Sequence, residues 1–250
     1  MMGSLTASWL NEMEKLWMRR RTKAFLLSTV LLPALGAAAL SSLQSGTAIG
    51  FGLGSDLPML MLGLFTTLLL PLFLFMAAVD SFTGEFASRT IKLVLTRPIS
   101  RSKAFASKVL ALAVLIAVSL GAVWLASAAA ELLSGGGLTG SGLIDGVVAY
   151  ASAFLPMLAV ALMSVLLAQR FHNSAGALGL IVLVYVLAKL LPFLFPSAAV
   201  WSVYSYTNWY SLWIGGGVPS GKLLNTTLLL FSYCVMAYMG GLMQFERKRF

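Results

Sequence analysis

Apolar residues fall in six long runs, and the short segments between them hold nearly all the charged positions. The runs extend approximately from Ala24 to Leu43, Leu57 to Val79, Ala104 to Ala130, Val147 to Leu167, Ala175 to Phe195 and Leu223 to Phe245. Each can cross about 30 Å of hydrocarbon, which takes roughly 20 helical residues. The pattern predicts an all-α integral membrane fold with six transmembrane helices. Four runs are free of charge; the third carries Lys108 in its first turns, close to the headgroups, and the fifth carries Lys189. Pro33, Pro71, Pro156 and Pro192 lie inside runs. Spanning helices tolerate proline where neighbours satisfy the carbonyls it frees.

Ahead of the first run, Leu5, Trp9, Leu10, Met13, Leu16 and Trp17 recur at helical spacing, with Asn11, Glu12, Lys15 and Arg19 on other faces. Residues 1–23 read as an amphipathic helix in the membrane interface, with the six-span domain occupying 24–250. The plainer alternative is a charged leader that only orients the first span. Glu12 and Glu14, with the length of the next apolar run, argue against a cleavable signal.

Composition identifies the solvent. Apolar residues make up 59% of the 250, and charged residues only 10%. A soluble domain carries roughly 25% charged residues, because its surface faces water. Lipid must cover most of this chain.

The net charge of +9 would raise the question of nucleic acid in a soluble protein. Here the positions of the charges answer it. Lys15, Arg19, Arg20, Arg21 and Lys23 precede the first span, while Arg89, Lys92, Arg97, Arg101, Lys103 and Lys108 lie between the second and third or at the start of the third. Arg170 separates the fourth and fifth, and Arg247, Lys248 and Arg249 follow the sixth. Lys222 alone occupies a loop on the other side. The positive-inside rule makes the basic side cytoplasmic, with both termini inside and the protein multi-pass in the plasma membrane. The expected solvent is the lipid bilayer, and no nucleic acid is expected as a partner.

Catalytic readings lack parts. The single Cys234 excludes an intramolecular disulfide and a cysteine cluster, and the single His172 stands in a short loop without a paired ligand. No serine–histidine pair, paired aspartates or histidine–glutamate ligands occur within the spans. Gly216-Gly-Val-Pro-Ser-Gly221-Lys222 matches the start of a phosphate-binding loop, but Leu223 stands where a Ser or Thr hydroxyl should follow, and no apolar strand leads in. The triplet Gly50, Gly52 and Gly54 lacks dinucleotide-binding spacing. The chain is expected to be no enzyme, to hold no metal and to bind no cofactor of its own.

Two features invite a role near a transport pathway. An intramembrane cation such as Lys189 is a functional candidate by default; otherwise it snorkels to the headgroups or pairs with Glu131 or Asp145. Trp201, Tyr204, Tyr206, Trp209, Tyr210 and Trp213 crowd the segment before the last span. They form either an interfacial aromatic belt or a contact surface for an amphiphilic cargo or an outer partner.

The segment 80–103 is the most informative stretch of the chain, dense in charge. Phe82, Phe86 and Leu93 share one helical stripe, Pro98 should end that helix, and Ser100 is a candidate N-cap for the third span. This describes a short amphipathic helix across the cytoplasmic mouth, offering charge to a soluble partner; the alternative is a solvated loop whose charges anchor two spans.

Asp80, Gly84, Glu85, Thr90, Leu95, Pro98, Ser100, Arg101 and Lys103 fall where the permease subunits of ABC type-2 exporters place an acid, Gly-Glu, a threonine before a hydrophobic run, and Pro-x-Ser-Arg with a lysine. The chain resembles that family, and Phe245-Glu-Arg-Lys-Arg resembles its basic ending without the usual closing aspartate. The resemblance implies a permease that pairs with a second permease subunit around a pathway, above separate cytoplasmic ATPase subunits that carry ATP and Mg. It implies that the loop helix is a coupling helix, with Asp80, Gly84, Glu85, Arg89, Thr90, Leu95, Pro98 and Arg101 as its residues, and that the N-terminal helix is the family's elbow helix. Lys189, Trp201, Tyr204, Trp209 and Trp213 are the candidates for the pathway or an outer contact. A different class of function is a membrane scaffold or immunity protein that sequesters a toxic peptide without transport. An ion-coupled secondary transporter would need charge near the midplane and repeated halves, and neither is visible.

Overall fold

The computed structural model describes residues 2–46, 57–84, 100–133, 140–195, 197, 200–214 and 219–247. Helix α1 runs Met2–Met18 and α2 runs Arg20–Gly46, the two joined through Arg19 alone. The second span is built of α3 (Leu57–Leu64), a π turn (Phe65–Leu69) and α4 (Leu70–Ser81). Then come α5 (Arg101–Leu133), α6 (Gly140–Ala168) and α7 (Ser174–Leu194). A 3-10 helix (Val203–Leu212) leads to α8 (Ser220–Arg247). Six helical stretches are long and apolar enough to span a membrane, as the sequence pattern predicts, and no strand occurs among the described residues. Helix α1 and the first spanning helix divide at Arg19, so Arg20, Arg21 and Lys23 already belong to the first spanning helix rather than to the segment before it.

The spans differ in depth within the bundle. In the second, 61% of the most apolar window is buried; in the fifth, 17%. Thus α3–α4, α5 and α6 form the centre, and α2, α7 and α8 expose apolar faces such as Leu183, Leu187 and Phe193 on α7. Hydrocarbon rather than water suits those faces.

Two prolines account for two of the hydrogen bonds between helices. Pro71 has no N–H to offer the Thr67 carbonyl, and the backbone here widens so that the Leu70 N–H bonds to Phe65 O. The freed Thr67 carbonyl accepts the Tyr185 hydroxyl of α7. Pro156 likewise frees the Ser152 carbonyl of α6, and the Trp209 indole N–H donates to it at 2.8 Å. The breaks at Pro71 and Pro156 are each closed by an aromatic donor from a neighbour.

Near α1, the rings of Phe82, Phe105 and Phe245 meet at centroid distances of 5.6 to 6.4 Å. Gly241 of α8 allows this approach, because a Cβ there would stand 2.9 Å from Phe105. The Arg101 guanidinium at the start of α5 donates to the Glu246 carbonyl at 2.7 Å. The start of α5 and the end of α8 therefore lie together at the α1 end, and the 28 residues of α8 carry its start roughly 40 Å away.

Candidate functional site

The α1 end is organised by charge. Glu12 is only 5% exposed and Lys108 only 2%, and Lys108 Nζ lies 2.8 Å from Glu12 Oε2. Lys15 Nζ, one turn along α1, bonds Glu12 Oε1 at 3.0 Å. Both carboxylate oxygens are thus engaged, which a buried carboxylate requires. Burial by itself pushes the Glu12 carboxyl up; the charge and hydrogen bond of Lys108, with those of Lys15, outweigh it and hold the group below its ordinary value of 4.5. Beside the pair, the Ser8 and Ser107 hydroxyls are 3.1 Å apart. The Lys108 ammonium also stands 6.0 Å from the centre of the Phe82 ring.

These contacts add what the sequence does not show. Glu12 is turned into the protein, where it pairs with Lys108 in the first turns of α5. The helix is rolled so that Ser8, Glu12 and Leu16 turn inward, Trp9 and Met13 pack on the core, and Leu10 and Trp17 face outward. A charge at the start of an apolar span signals that a carboxylate must be near; the sequence alone does not name which.

Asp80 ends α4 and is held from the α1–α2 junction. Its Oδ2 lies 3.2 Å from Arg19 Nη1 and 3.4 Å from Arg21 Nη1. One turn beyond, Gly84 stands by the start of α7, where an added Cβ would sit 3.9 Å from the Ser174 hydroxyl. Ser100 precedes α5, and its carbonyl accepts the Ala104 N–H at 3.1 Å. Glu85, Arg89, Thr90, Leu95 and Pro98 lie outside the described residues. Of the expected coupling residues, the structure therefore places Asp80, Gly84 and Arg101, all at the α1 end. The two spans joined by segment 80–103 are both tied to α1 and its junction, one through Asp80 and the other through Lys108.

At the opposite end the accepting groups are neutral. Lys189 donates to the Thr207 hydroxyl and lies 5.7 Å from the Tyr185 ring centre, so its partner is a hydroxyl of the 3-10 helix rather than Glu131 or Asp145. Thr67 of the π turn donates to Asn208 Oδ1 at 3.0 Å. Tyr150 donates to the Pro58 carbonyl at 2.8 Å. The aromatic segment divides: Trp201 is 73% exposed and Trp213 is exposed, whereas Tyr204 is buried and Trp209 is 4% exposed. Burial thus separates Tyr204 and Trp209 from Trp201 and Trp213, which the sequence had grouped as one belt or contact surface. Tyr204 packs edge-on against Tyr185 and Trp209 plugs into α6, so both are parts of the core.

The phosphate-loop likeness finds no support in the geometry. Ser220 to Lys222 open α8, Leu223 occupies the hydroxyl position, and no strand precedes them among the described residues.

Six apolar spans, an N-terminal helix docked by ion pairs at one end and an aromatic 3-10 helix inserted at the other define a multi-pass α-helical membrane protein. Residues 10–189, from the middle of α1 to Lys189, match the family model described as ABC-2 family transporter protein. The chain belongs to that family, and its role is that of a membrane-embedded permease of an ABC transporter. Permeases of this family generally work with an ATPase subunit. No curated protein gives a significant match.

Proposed function

We propose that this chain is the permease subunit of an ATP-driven exporter, coupled through segment 80–103 to a separate cytoplasmic ATPase that binds ATP and Mg. It works beside a second permease subunit, with its α1 end in the cytoplasm, where the basic residues concentrate. The observation that carries this reading is the convergence at α1. Segment 80–103 leaves the bundle at Asp80 and returns at Arg101, and both spans it joins are ion-paired to α1 or its junction with α2. Force applied to the segment by a partner is delivered to α1, α4 and α5 together. Asp80 and Arg101 then position the segment, while Glu85, Arg89, Thr90, Leu95 and Pro98 supply its contact with the ATPase. Lys189, linked to the buried Thr207 of the 3-10 helix, is the candidate for the pathway.

Glu85→Ala tests the assignment. Losing one member of a desolvated charge pair across an interface costs roughly 2–5 kcal/mol. The variant should insert and express as the wild type does, yet lose most co-purification of the ATPase and the ATP-dependent export. Ser55→Ala serves as the control. Normal ATPase binding and export by Glu85→Ala would remove this residue from the coupling contact.

A further inference from the structure

At the end of the bundle opposite α1, a cavity of about 920 Å³ opens between α7, the 3-10 helix and α8. This lies near the top of the roughly 300–1,000 Å³ range of small-ligand sites. Its wall is apolar, with Pro192, Leu212 and Leu229 among the lining residues. Its polar lining groups include Lys222 and Asn225 from the first turns of α8 and Ser205 from the 3-10 helix, and among the described residues no carboxylate lines it. The Ser205 hydroxyl oxygen is buried and has no hydrogen-bond partner among the described residues.

We propose that this cavity is a binding site for an anionic phospholipid of the surrounding bilayer, with the phosphate at Lys222 and the first part of an acyl chain along Leu212 and Leu229. Three features select this ligand. The charge is complementary: Lys222 supplies a cation, and the N-terminal end of a 28-residue helix adds partial positive charge. The depth is right, because the exposed Trp201 and Trp213 flank this segment and such rings settle at the headgroup layer. The apolar wall separates a lipid from a free anion, since inorganic phosphate has nothing to place there. This assignment does not rest on the export reading, and its test needs neither the ATPase nor cargo.

The test uses the purified full-length chain in uncharged detergent, doped in turn with phosphatidylglycerol, phosphatidylcholine or millimolar inorganic phosphate. Native mass spectrometry counts retained lipid, and thermal unfolding reads stabilisation. Phosphatidylglycerol should be retained and should raise the unfolding temperature, whereas phosphatidylcholine and inorganic phosphate should do neither. Lys222→Gln should weaken phosphatidylglycerol retention about fivefold, the worth of one lysine near an anionic headgroup. Leu229→Trp, which fills the apolar wall, should lower it again while leaving the unfolding temperature without lipid unchanged. Equal retention of the two lipids, unchanged retention in Lys222→Gln, or full stabilisation by inorganic phosphate would each overturn the proposal.

Discussion

The two ends of this bundle hold their helices by different means. At the α1 end the fasteners are ions: Glu12 between Lys108 and Lys15, and Asp80 between Arg19 and Arg21. At the other end they are neutral donors on carbonyls freed by proline, Tyr185 on Thr67 and Trp209 on Ser152. The contrast reflects the physical setting of each end. Helix α1 is not itself one of the apolar spans, and a buried ion pair fixes where it docks. A proline-broken span has an unmet carbonyl in a dry setting, and any well-placed N–H or O–H mends it. Charge therefore specifies position at one end, and hydrogen bonding repairs backbone at the other.

The ionic end is most vulnerable at Lys108. Lys108→Met leaves the Glu12 carboxylate buried with Lys15 alone and should cost about 3–5 kcal/mol in unfolding experiments in detergent. Replacing both members, Glu12→Met with Lys108→Met, should recover most of that loss, because the desolvation of both charges is removed together. A double variant as unstable as the sum of the singles would show that the pair is not what holds α1.

Acid should act on the same pair with a defined sign. A carboxyl held below 4.5 contributes its stabilisation fully above that value and loses it as pH falls through the lower folded value. Docking of α1, followed by the fluorescence of Trp9 and Trp17, should persist from neutral pH to about 4.5 and fail only below it. In Lys108→Met the failure should move to higher pH, since burial then acts with only Lys15 against it. Undocking of the wild type between about pH 7 and 5 would contradict a Glu12 that is already ionised there.

Smaller effects separate the two ends further. Tyr185→Phe should cost about 1 kcal/mol, the scale of a hydrogen bond between spanning helices. In a Pro71→Ala background the restored N–H can reach the Thr67 carbonyl, and the same change should cost close to nothing. An unchanged cost there would mean that the hydroxyl is not serving the freed carbonyl. Smallest of all should be Asp80→Asn, at under about 1 kcal/mol of stability, because the carboxylate and its arginines are partly exposed. Its larger consequence under the coupling proposal is a loss of ATPase-linked export, read in the same assay as Glu85→Ala.

The six spans, the N-terminal helix, the membrane setting and the family resemblance were all legible in the order of the residues. These are local properties: about twenty apolar residues partition into hydrocarbon whatever surrounds them. Which spans are central was settled by packing alone. The fourth and fifth share a mean hydropathy of 2.2, yet 56% of one window is buried and 17% of the other. Lipid and protein interior are equally apolar, so hydropathy cannot tell them apart. The same limit hid the partner of Lys108, which lies 96 residues away in sequence, and the difference between Trp201 and Trp209. A charge or an indole ring in the sequence announces that it needs a partner or a boundary, and only the folded bundle brings that partner within about 3 Å or leaves the ring facing lipid.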